Sequence, residues 1–207
     1  MLKRQWRPAI LVTFVLMVIT GLAYPGLVTV IAQVLFPRQA NGSLIVVDGR
    51  VVGSALIGQS FAGAGYFHGR PSAAGAGYDD TLSAGTNLGP TSAKLDTMVM
   101  QAVDSEVKLD HAVRGKVPSD LVTSSGSGLD PDISPASAAL EVARVAQARG
   151  LPASAVRDLV ARHTQGRTFG LLGDPRVNVL ELNLALDSLA APRRAAVAIP
   201  SPAAGSR

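Results

Sequence analysis

The chain has 207 residues, contains no cysteine, and carries a formal net charge of +4. Without cysteine the chain can form neither a disulfide nor a thiolate metal site. Six of its 19 basic residues lie near the two ends, and the rest of the chain contains 13 basic and 15 acidic residues. The body of the chain is therefore slightly acidic, and no basic stripe predicts nucleic-acid binding.

The first predicted element is a membrane-spanning helix over residues 8–36. No charged side chain occurs between Pro8 and Pro37, and a bilayer requires about 20 apolar residues in helical form. The Pro25-Gly26 pair interrupts this run. Three basic residues precede the run within residues 1–7, which predicts a cytoplasmic N-terminus and an extracytoplasmic location for the rest of the chain.

A cleaved signal peptide is the alternative interpretation of the same segment. Gly21-Leu22-Ala23 is a small-x-small triplet after a short apolar core, as at a cleavage site. Apolar residues continue for another ten positions after Pro25, however, and cleavage would expose them to water. The anchor is therefore favoured, and both alternatives place the following domain outside the cytoplasm.

Residues 37–188 are predicted to form one small mixed α/β domain, so the fold class is α+β behind a single transmembrane helix. Asp48-Gly49 lies between two apolar stretches and predicts a hairpin with a type I′ turn over residues 43–59. Four helices follow from apolar spacing and capping residues: 91–110 capped by Thr91, Ser134–Gly150 with Pro135 at the first position, Pro152–His163, and Asn178–Ser188. Residues 189–207 are predicted to be a disordered tail.

Two segments rich in small residues, 60–92 and 118–135, separate these elements. The first is either a flexible linker or an ordered functional loop, and its adjacent aromatic residues favour the ordered loop. The three histidines lack the spacing of a metal site, Gly126-Ser127-Gly128 does not complete a nucleophile elbow, and no P-loop motif occurs. The residues thus predict an accessory subunit with no catalytic or metal-binding residues.

Five sequence blocks carry a resemblance to a known family. In chain order they are Gly53–Gln59, Tyr66–Ser72, Gly85–Thr91, Asp120–Pro135 and Pro175–Asp187. With these blocks the chain resembles the C subunit of the bacterial Kdp-type potassium-transporting ATPase over residues 8–188. Four positions depart from the family pattern: Ala84, Thr86, Ser124 and Asp132, the last standing where histidine is usual.

The resemblance implies a non-catalytic accessory subunit of an ATP-driven, high-affinity potassium uptake complex in the bacterial inner membrane. Its implied partners are a channel-like potassium-binding subunit, a P-type ATPase subunit, a small membrane subunit and the lipid bilayer. The family is described as a catalytic chaperone that raises the ATP affinity of the ATPase subunit, so ATP is a possible ligand by family attribution. An ATP- or ligand-binding regulatory module is the alternative, but the predicted topology separates this domain from cytoplasmic ATP.

Six loop residues are the candidates for partner binding: Tyr66, Phe67, Arg70, Asn87, Ser127 and Asp130. Their loops carry few charges, which favours contact with a protein surface over a site for a charged ligand. Glycine in these loops permits close backbone approach. Asp130 is expected either to be buried on docking, as an ion-pair partner, or to cap the helix that starts at Ser134.

Overall fold

A computed structural model of the chain describes residues 2–190, which belong to two compact units that divide between Ile57 and Gly58. The described elements confirm the α+β class, with one N-terminal apolar helix and two small sheets. The last helix extends to Ala190. From residue 191 onward, the tail predicted over 189–207 lies outside the described residues.

The first unit begins with a helical rod in three parts: α1 (Leu2–Val18), a π-helical turn (Ile19–Ala23) and α2 (Tyr24–Leu35). The helix continues through the Pro25-Gly26 pair that interrupts the apolar run in the sequence. Proline has no N–H and its ring collides with the carbonyl four residues earlier in an α-helix. In the π-helical turn, Tyr24 N donates to Ile19 O, five residues back, and this change in bonding relieves the conflict.

The stretch Gln5–Leu35 is long and apolar enough to cross a membrane, and its most apolar part is not buried within the chain. Its 31 residues span about 46 Å as a helix, more than the roughly 30 Å of bilayer hydrocarbon. The predicted apolar helix over 8–36 is thus present. Its orientation across a bilayer stays a prediction.

A short helix, α3 (Pro37–Ala40), leads into the predicted hairpin of β1 (Leu44–Val47) and β2 (Arg50–Ser54). The strands are antiparallel, with a register shift between Ile45 and Val46. Asp48 and Gly49 both have positive φ, 49° and 75°, as a type I′ turn requires. The hairpin prediction is confirmed.

The second unit contains four helices and three short strands. The helices are α4 (Ala93–Leu109), α5 (Pro135–Arg149), α6 (Ala153–His163) and α7 (Val179–Ala190). The strands are β3 (Asp132–Ile133), β4 (Thr164–Gln165) and β5 (Arg176–Asn178), and a 3₁₀ turn covers Ser119–Leu121. All four predicted helices are present, with ends that differ from the predictions by no more than two residues.

The ends of α5 follow from local sequence. Ser134 is its N-cap, and Ser137 N donates to Ser134 Oγ at 3.1 Å, while Gly150 ends the helix in the left-handed region with φ 62°. Both predictions are confirmed. Thr91 was the wrong cap for α4, because Ser92 N donates to Gly89 O in a turn and Ser92 becomes the N-cap without a side-chain hydrogen bond.

The hydrophobic core lies among α5, α6, α7 and the antiparallel sheet ordered β3-β5-β4. Val177 in the central strand pairs with Ile133 on one side and Thr164 on the other. Leu182 and Leu186 of α7 are fully buried, as the apolar spacing of that helix predicts. This core supports the loops described next, since one loop residue, Phe67, belongs to it.

Candidate partner-binding site

The two segments rich in small residues bind each other. We define the loop cluster as residues 58–92 and 119–131, which begin just before the first segment and end where β3 begins. Ser72 Oγ donates to Gly128 O at 2.6 Å, and Ala84 N donates to Ser127 O at 2.9 Å. Gly58 N donates to Leu129 O at 2.8 Å. These bonds come from backbone groups and short hydroxyls, which reach one another because little side-chain volume intervenes. Residues 60–92 are therefore an ordered loop with defined contacts.

Gly128 shows why glycine is required in this cluster. Its φ is +70°, a conformation that L-residues rarely adopt, and an added Cβ would lie 2.7 Å from Ala74 N and would also overlap Ala84 O. At Gly58 a Cβ would lie 2.5 Å from Asp130 O. The closest packing between the two segments therefore takes place at positions without a side chain.

Arg70 and Asp130, two of the predicted site residues, contact each other across the two segments. Arg70 Nη1 lies 2.9 Å from Asp130 Oδ2, and the side chains keep 25% and 28% of their surface exposed. Asp130 Oδ1 accepts a hydrogen bond from Asp132 N. The alternative in which Asp130 caps the next helix is wrong, because Asp120 accepts hydrogen bonds from both Ser134 N and Ser134 Oγ.

Tyr78 supports the backbone of Arg70. Its hydroxyl donates to Arg70 O at 2.5 Å, and its own N–H donates to Ser72 Oγ. Burial, together with the nearby Asp130 carboxylate, raises the pKa of the Tyr78 hydroxyl to about 12. The Arg70–Asp130 pair is consequently presented on a fixed backbone.

Phe67 anchors the loop cluster to the helices. Its side chain has no exposed surface, its N–H donates to Asn183 Oδ1, and its C=O accepts from Asn183 Nδ2, both at 2.9 Å. The Asn183 amide thus satisfies a buried backbone donor and acceptor that would otherwise be unpaired. Phe67 contributes to the core and presents no surface to a partner.

The other three predicted site residues lie apart from the Arg70–Asp130 pair or at its edge. The Tyr66 ring is half-buried beneath Arg149, whose guanidinium carbon lies 4.4 Å from the ring centroid. Ser127 is exposed within the same loop as Asp130. Asn87 is exposed and has a positive φ of 51°.

A buried ionic group that sequence reasoning missed lies beneath the loop cluster. Arg144 Nε donates to Asp110 Oδ1 at 2.9 Å, its Nη2 contacts Glu141 Oε2, and its Nη1 donates to the carbonyls of Ala64 and Tyr66. The side chains of Asp110 and Glu141 are each 1% exposed, and that of Arg144 is 7% exposed. Burial raises the pKa of Glu141 to about 8, although His68 N donates to its carboxylate and Arg144 lies beside it.

The sequence contains one signal for this group. Glu141 occupies a position on the apolar face of α5, between residues such as Ala138, Val142 and Val145, which are all buried. A carboxylate there must be paired or hydrogen-bonded, because burial of an isolated charge is costly. Arg144, three residues later on the same helix, is one partner that this spacing allows. His68 and Asp110 come from distant parts of the chain, so the sequence does not reveal them.

A cleft of about 400 Å³ lies between the loop cluster and α4. Its polar lining includes His68, Arg70, Tyr78 and Glu106, and its apolar lining includes Phe61, Leu109 and Leu121. Burial raises the pKa of Glu106 and lowers that of His68. The nearby Asp110 carboxylate adds to the rise at Glu106, and the Arg144 guanidinium adds to the fall at His68.

A second cleft, of about 330 Å³, lies on the other side of Arg70 and contains Asp120, Asp130, Asp132 and Arg176. Asp132 pairs with Arg176 Nε at 3.2 Å. Burial raises the pKa of Asp132, and Arg176 opposes this rise. In the described part of the chain, no group of three or more metal-ligating side chains is arranged to bind a metal ion.

Comparison with known proteins places this arrangement in a family. Residues 6–188 match the family described as "KdpC: K+-transporting ATPase, c chain". The chain belongs to the KdpC family. This confirms the resemblance inferred from the five sequence blocks, and the match includes the apolar helix, both segments of the loop cluster and the helical core.

Individual KdpC relatives agree along nearly their whole length. The potassium-transporting ATPase KdpC subunit of Gemmatimonas aurantiaca is 67% identical over 191 residues, which cover 92% of this chain and 96% of the relative. The KdpC subunit of Acidobacterium capsulatum is 56% identical over 183 residues, covering 88% and 97%. That of Koribacter versatilis is 52% identical over 187 residues, covering 90% and 95%.

Proposed function

We propose that the chain is a non-catalytic accessory subunit of an ATP-driven, high-affinity potassium uptake complex, needed for assembly and activity of that complex. The observation that carries this proposal is the family match over residues 6–188. Relatives named as KdpC subunits of a potassium-transporting ATPase align over almost their entire length. The partners are a channel-like potassium-binding subunit, the P-type ATPase subunit and a small membrane subunit.

Residues 8–36 anchor the chain in the bacterial inner membrane, with residues 1–7 in the cytoplasm and residues 37–188 outside. Support comes from the apolar helix Gln5–Leu35 and from the basic residues that precede it, since positive charge favours the cytoplasmic side. A reporter enzyme fused after Asp187 tests the orientation. A reporter that works only outside the cytoplasm should be active, and activity of a cytoplasm-dependent reporter would contradict the topology.

The loop cluster contacts the outer face of the channel-like subunit. Its polar surface comes from four of the predicted residues, Arg70, Asn87, Ser127 and Asp130. Tyr66 extends this surface toward the helices. Phe67 lies in the core and holds the cluster in place. Loops with fixed backbone and short side chains suit a protein surface, because a partner can approach the backbone closely. In this role the subunit stabilises the assembled transporter without taking part in ATP hydrolysis.

The chaperone role, in which the subunit raises the ATP affinity of the ATPase subunit, and direct ATP binding are separable by one experiment. The complex is purified with and without this chain, and ATPase activity is measured against ATP concentration. Loss of assembly or activity without the chain supports the accessory role, and an increased KM for ATP in a residual complex supports the chaperone role.

Labelling of the complex with a photoreactive ATP analogue distinguishes the regulatory alternative. We expect label on the ATPase subunit and none on this chain. Label on this chain that competes with ATP would favour an ATP-binding module. Full assembly, transport and ATPase activity without the chain would contradict the proposed function.

A further inference from the structure

The segment between β4 and β5 forms a hairpin that projects from the second unit. Every residue from 165 to 175 is exposed. Thr168 and Leu172 pair as an antiparallel bridge, in which Thr168 N donates to Leu172 O at 2.9 Å and Leu172 N donates to Thr168 O at 3.0 Å. Arg167 Nη2 lies 2.9 Å from Asp174 Oδ1 and joins the two arms. The tip of this hairpin, which we define as Phe169–Leu172, is thus held in a defined shape by bonds within the hairpin.

The tip is apolar and largely exposed. Phe169, Leu171 and Leu172 keep 90%, 79% and 63% of their surface accessible. The first two values exceed that of every described large apolar side chain of Gln5–Leu35, where the highest is 71%. None of the three residues belongs to the hydrophobic core. Contiguous apolar surface of this kind typically marks a contact with another molecule or with a membrane.

The backbone of the tip points to the same conclusion. Phe169 and Gly170 both have positive φ, 54° and 74°, a combination that type I′ turns require. The hairpin of the first unit has Asp48-Gly49 at its turn, and aspartate tolerates this conformation better than a bulky aromatic residue does. Phe169 therefore has an unfavourable backbone conformation and also exposes its ring to water. A contact that the ring makes outside this chain explains its position.

The charge distribution of the second unit indicates what the tip faces. Residues 157–176 contain four arginines and two aspartates, whereas the rest of residues 58–190 contains seven basic and twelve acidic residues. Arg157 and Arg162 are exposed on α6, which leads through β4 into the hairpin, and they form no salt bridge within residues 2–190. Anionic lipid headgroups attract basic segments and repel acidic ones. Such a surface would orient the unit with the hairpin toward it.

A lipid surface also suits the tip itself. The N–H groups of Gly170, Leu171 and Leu172 are all bonded within the hairpin, so these donors need no further partner in an apolar medium. The tip has no hydrogen-bonding side chain, whereas contacts between proteins usually include several hydrogen bonds. Lipid is also close at hand, because only residues 36–57 separate the apolar helix from the second unit.

We propose that the tip Phe169–Leu172 inserts into the interfacial region of the bilayer that holds the apolar helix, with Arg157 and Arg162 facing anionic headgroups. The inference rests on the membrane anchor in the proposed function and adds a second lipid contact to it. The apolar side chains of the tip enter the boundary between headgroups and acyl chains, as those of interfacial segments do. This contact restricts the orientation of the second unit at the membrane surface.

The first test measures whether the tip contacts a bilayer. Because the chain contains no cysteine, Thr168→Cys gives one site for a fluorescent label beside the tip. The labelled full chain is reconstituted into vesicles of phosphatidylcholine and phosphatidylglycerol that contain a lipid-bound quencher near the headgroups. The label should lose at least about half of its fluorescence, as expected of an interfacial segment. The control is Val113→Cys, at an exposed apolar residue of another loop, and equal quenching of both labels would overturn the proposal.

Phe169→Asn distinguishes lipid contact from a structural role. Asparagine adopts positive φ more readily than phenylalanine but lacks its apolar ring. In the Thr168→Cys chain this substitution should reduce quenching at least about threefold, while the Tm stays the same or rises. Leu171→Gln should reduce quenching in the same direction. Unchanged quenching in both variants, or a Tm that falls in parallel with quenching, would overturn the proposal.

A photoreactive phenylalanine derivative in place of Phe169 identifies the occupant in the assembled complex. A crosslink to lipid is the expected result. Crosslinking to another subunit, to a second copy of this chain or to no molecule would overturn the proposal. If carbonate extraction releases the chain from membranes, the proposed anchor fails first. If the chain stays in the membrane and the complex needs it, but the tip does not meet lipid, this inference fails and the proposed function stands.

Discussion

The second unit contains two regions that are stabilised in different ways. The helical region, residues 132–190, encloses an apolar core in which Val145, Val177, Leu182 and Leu186 have no exposed surface. The loop cluster buries few large apolar side chains, and its segments are joined by backbone, hydroxyl and charged groups. The helical region is therefore stabilised by burial of apolar surface, which is non-directional. The loop cluster depends on individual polar contacts with defined geometry.

The largest effect is expected in the helical region. Leu182→Ala removes a fully buried side chain from α7 and should lower the free energy of unfolding by about 2–5 kcal/mol. Leu189→Ala, on the same helix but 45% exposed, is the matched control and should change it by less than about 0.5 kcal/mol. Chemical denaturation of the chain in detergent measures both. Equal effects would mean that α7 does not depend on burial at Leu182.

A smaller effect is expected where the two regions meet. Asn183→Ala leaves the buried N–H and C=O of Phe67 without partners and should destabilise the chain by about 2 kcal/mol. Amide hydrogen exchange should accelerate first at residues 66–68, because their attachment to α7 is lost. Ser188→Ala, at an exposed position on the same helix, should leave this exchange unchanged. Uniform acceleration throughout the helices would show that the two regions unfold as one.

Titration of Glu141 tests the contact between the two regions, since this buried carboxylate connects α5 to the loops. The pKa of Glu141 is raised to about 8 in the folded chain, so the folded state binds a proton that the unfolded state releases. Stability should therefore fall as pH rises toward 8, with a slope of about 1 kcal/mol per pH unit. Glu141→Gln should remove this slope. The free energy of unfolding of both chains is measured between pH 6.5 and 8.5, above the ordinary pKa of histidine. If it changes with pH in the same way in the parent chain and in Glu141→Gln, Glu141 is not the titrating group.

The smallest effect is expected within the loop cluster. Asp130→Ala removes a partly exposed ion pair with Arg70 and one backbone hydrogen bond, and should cost about 0.5–1 kcal/mol. Asp80→Ala, in the same loops, is the control and should cost less. Association with the complex should weaken more strongly if Asp130 lies in the interface. Destabilisation of the chain together with an unaltered complex would give Asp130 a purely structural role.

Much of the helical region could be predicted because its signals are local. Ser134, Pro135 and Gly150 define the ends of α5 through the conformational preferences of neighbouring residues. Asp48-Gly49 specifies the hairpin turn in the same way. The prediction failed at Thr91, where a turn from Gly89 moves the cap by one residue. The π-helical turn that accommodates Pro25 has no signal in the spacing of residues.

Partner contact by the loop cluster stays a proposal, based on its few charges and on the family resemblance. The internal contacts of the cluster were not predictable. Asp120 and Asp130 both precede Ser134, and only the folded chain shows that Asp120 binds Ser134 while Asp130 turns to Arg70. Phe67 is an aromatic residue of the type that is common at interfaces, yet its side chain is buried in the core. These outcomes depend on contacts between residues far apart in the chain.

The sequence by itself determined the apolar helix, the hairpin, the four helices and the family, because each depends on spacing, capping or residue order along the chain. The tertiary structure alone decided the charge pattern of the candidate site. The i,i+3 spacing on α5 allows Arg144 to pair with Glu141. Nothing in the spacing pairs Arg144 with Asp110, which follows α4. Electrostatic pairing depends on distance in space and on burial, and both are properties of the folded chain.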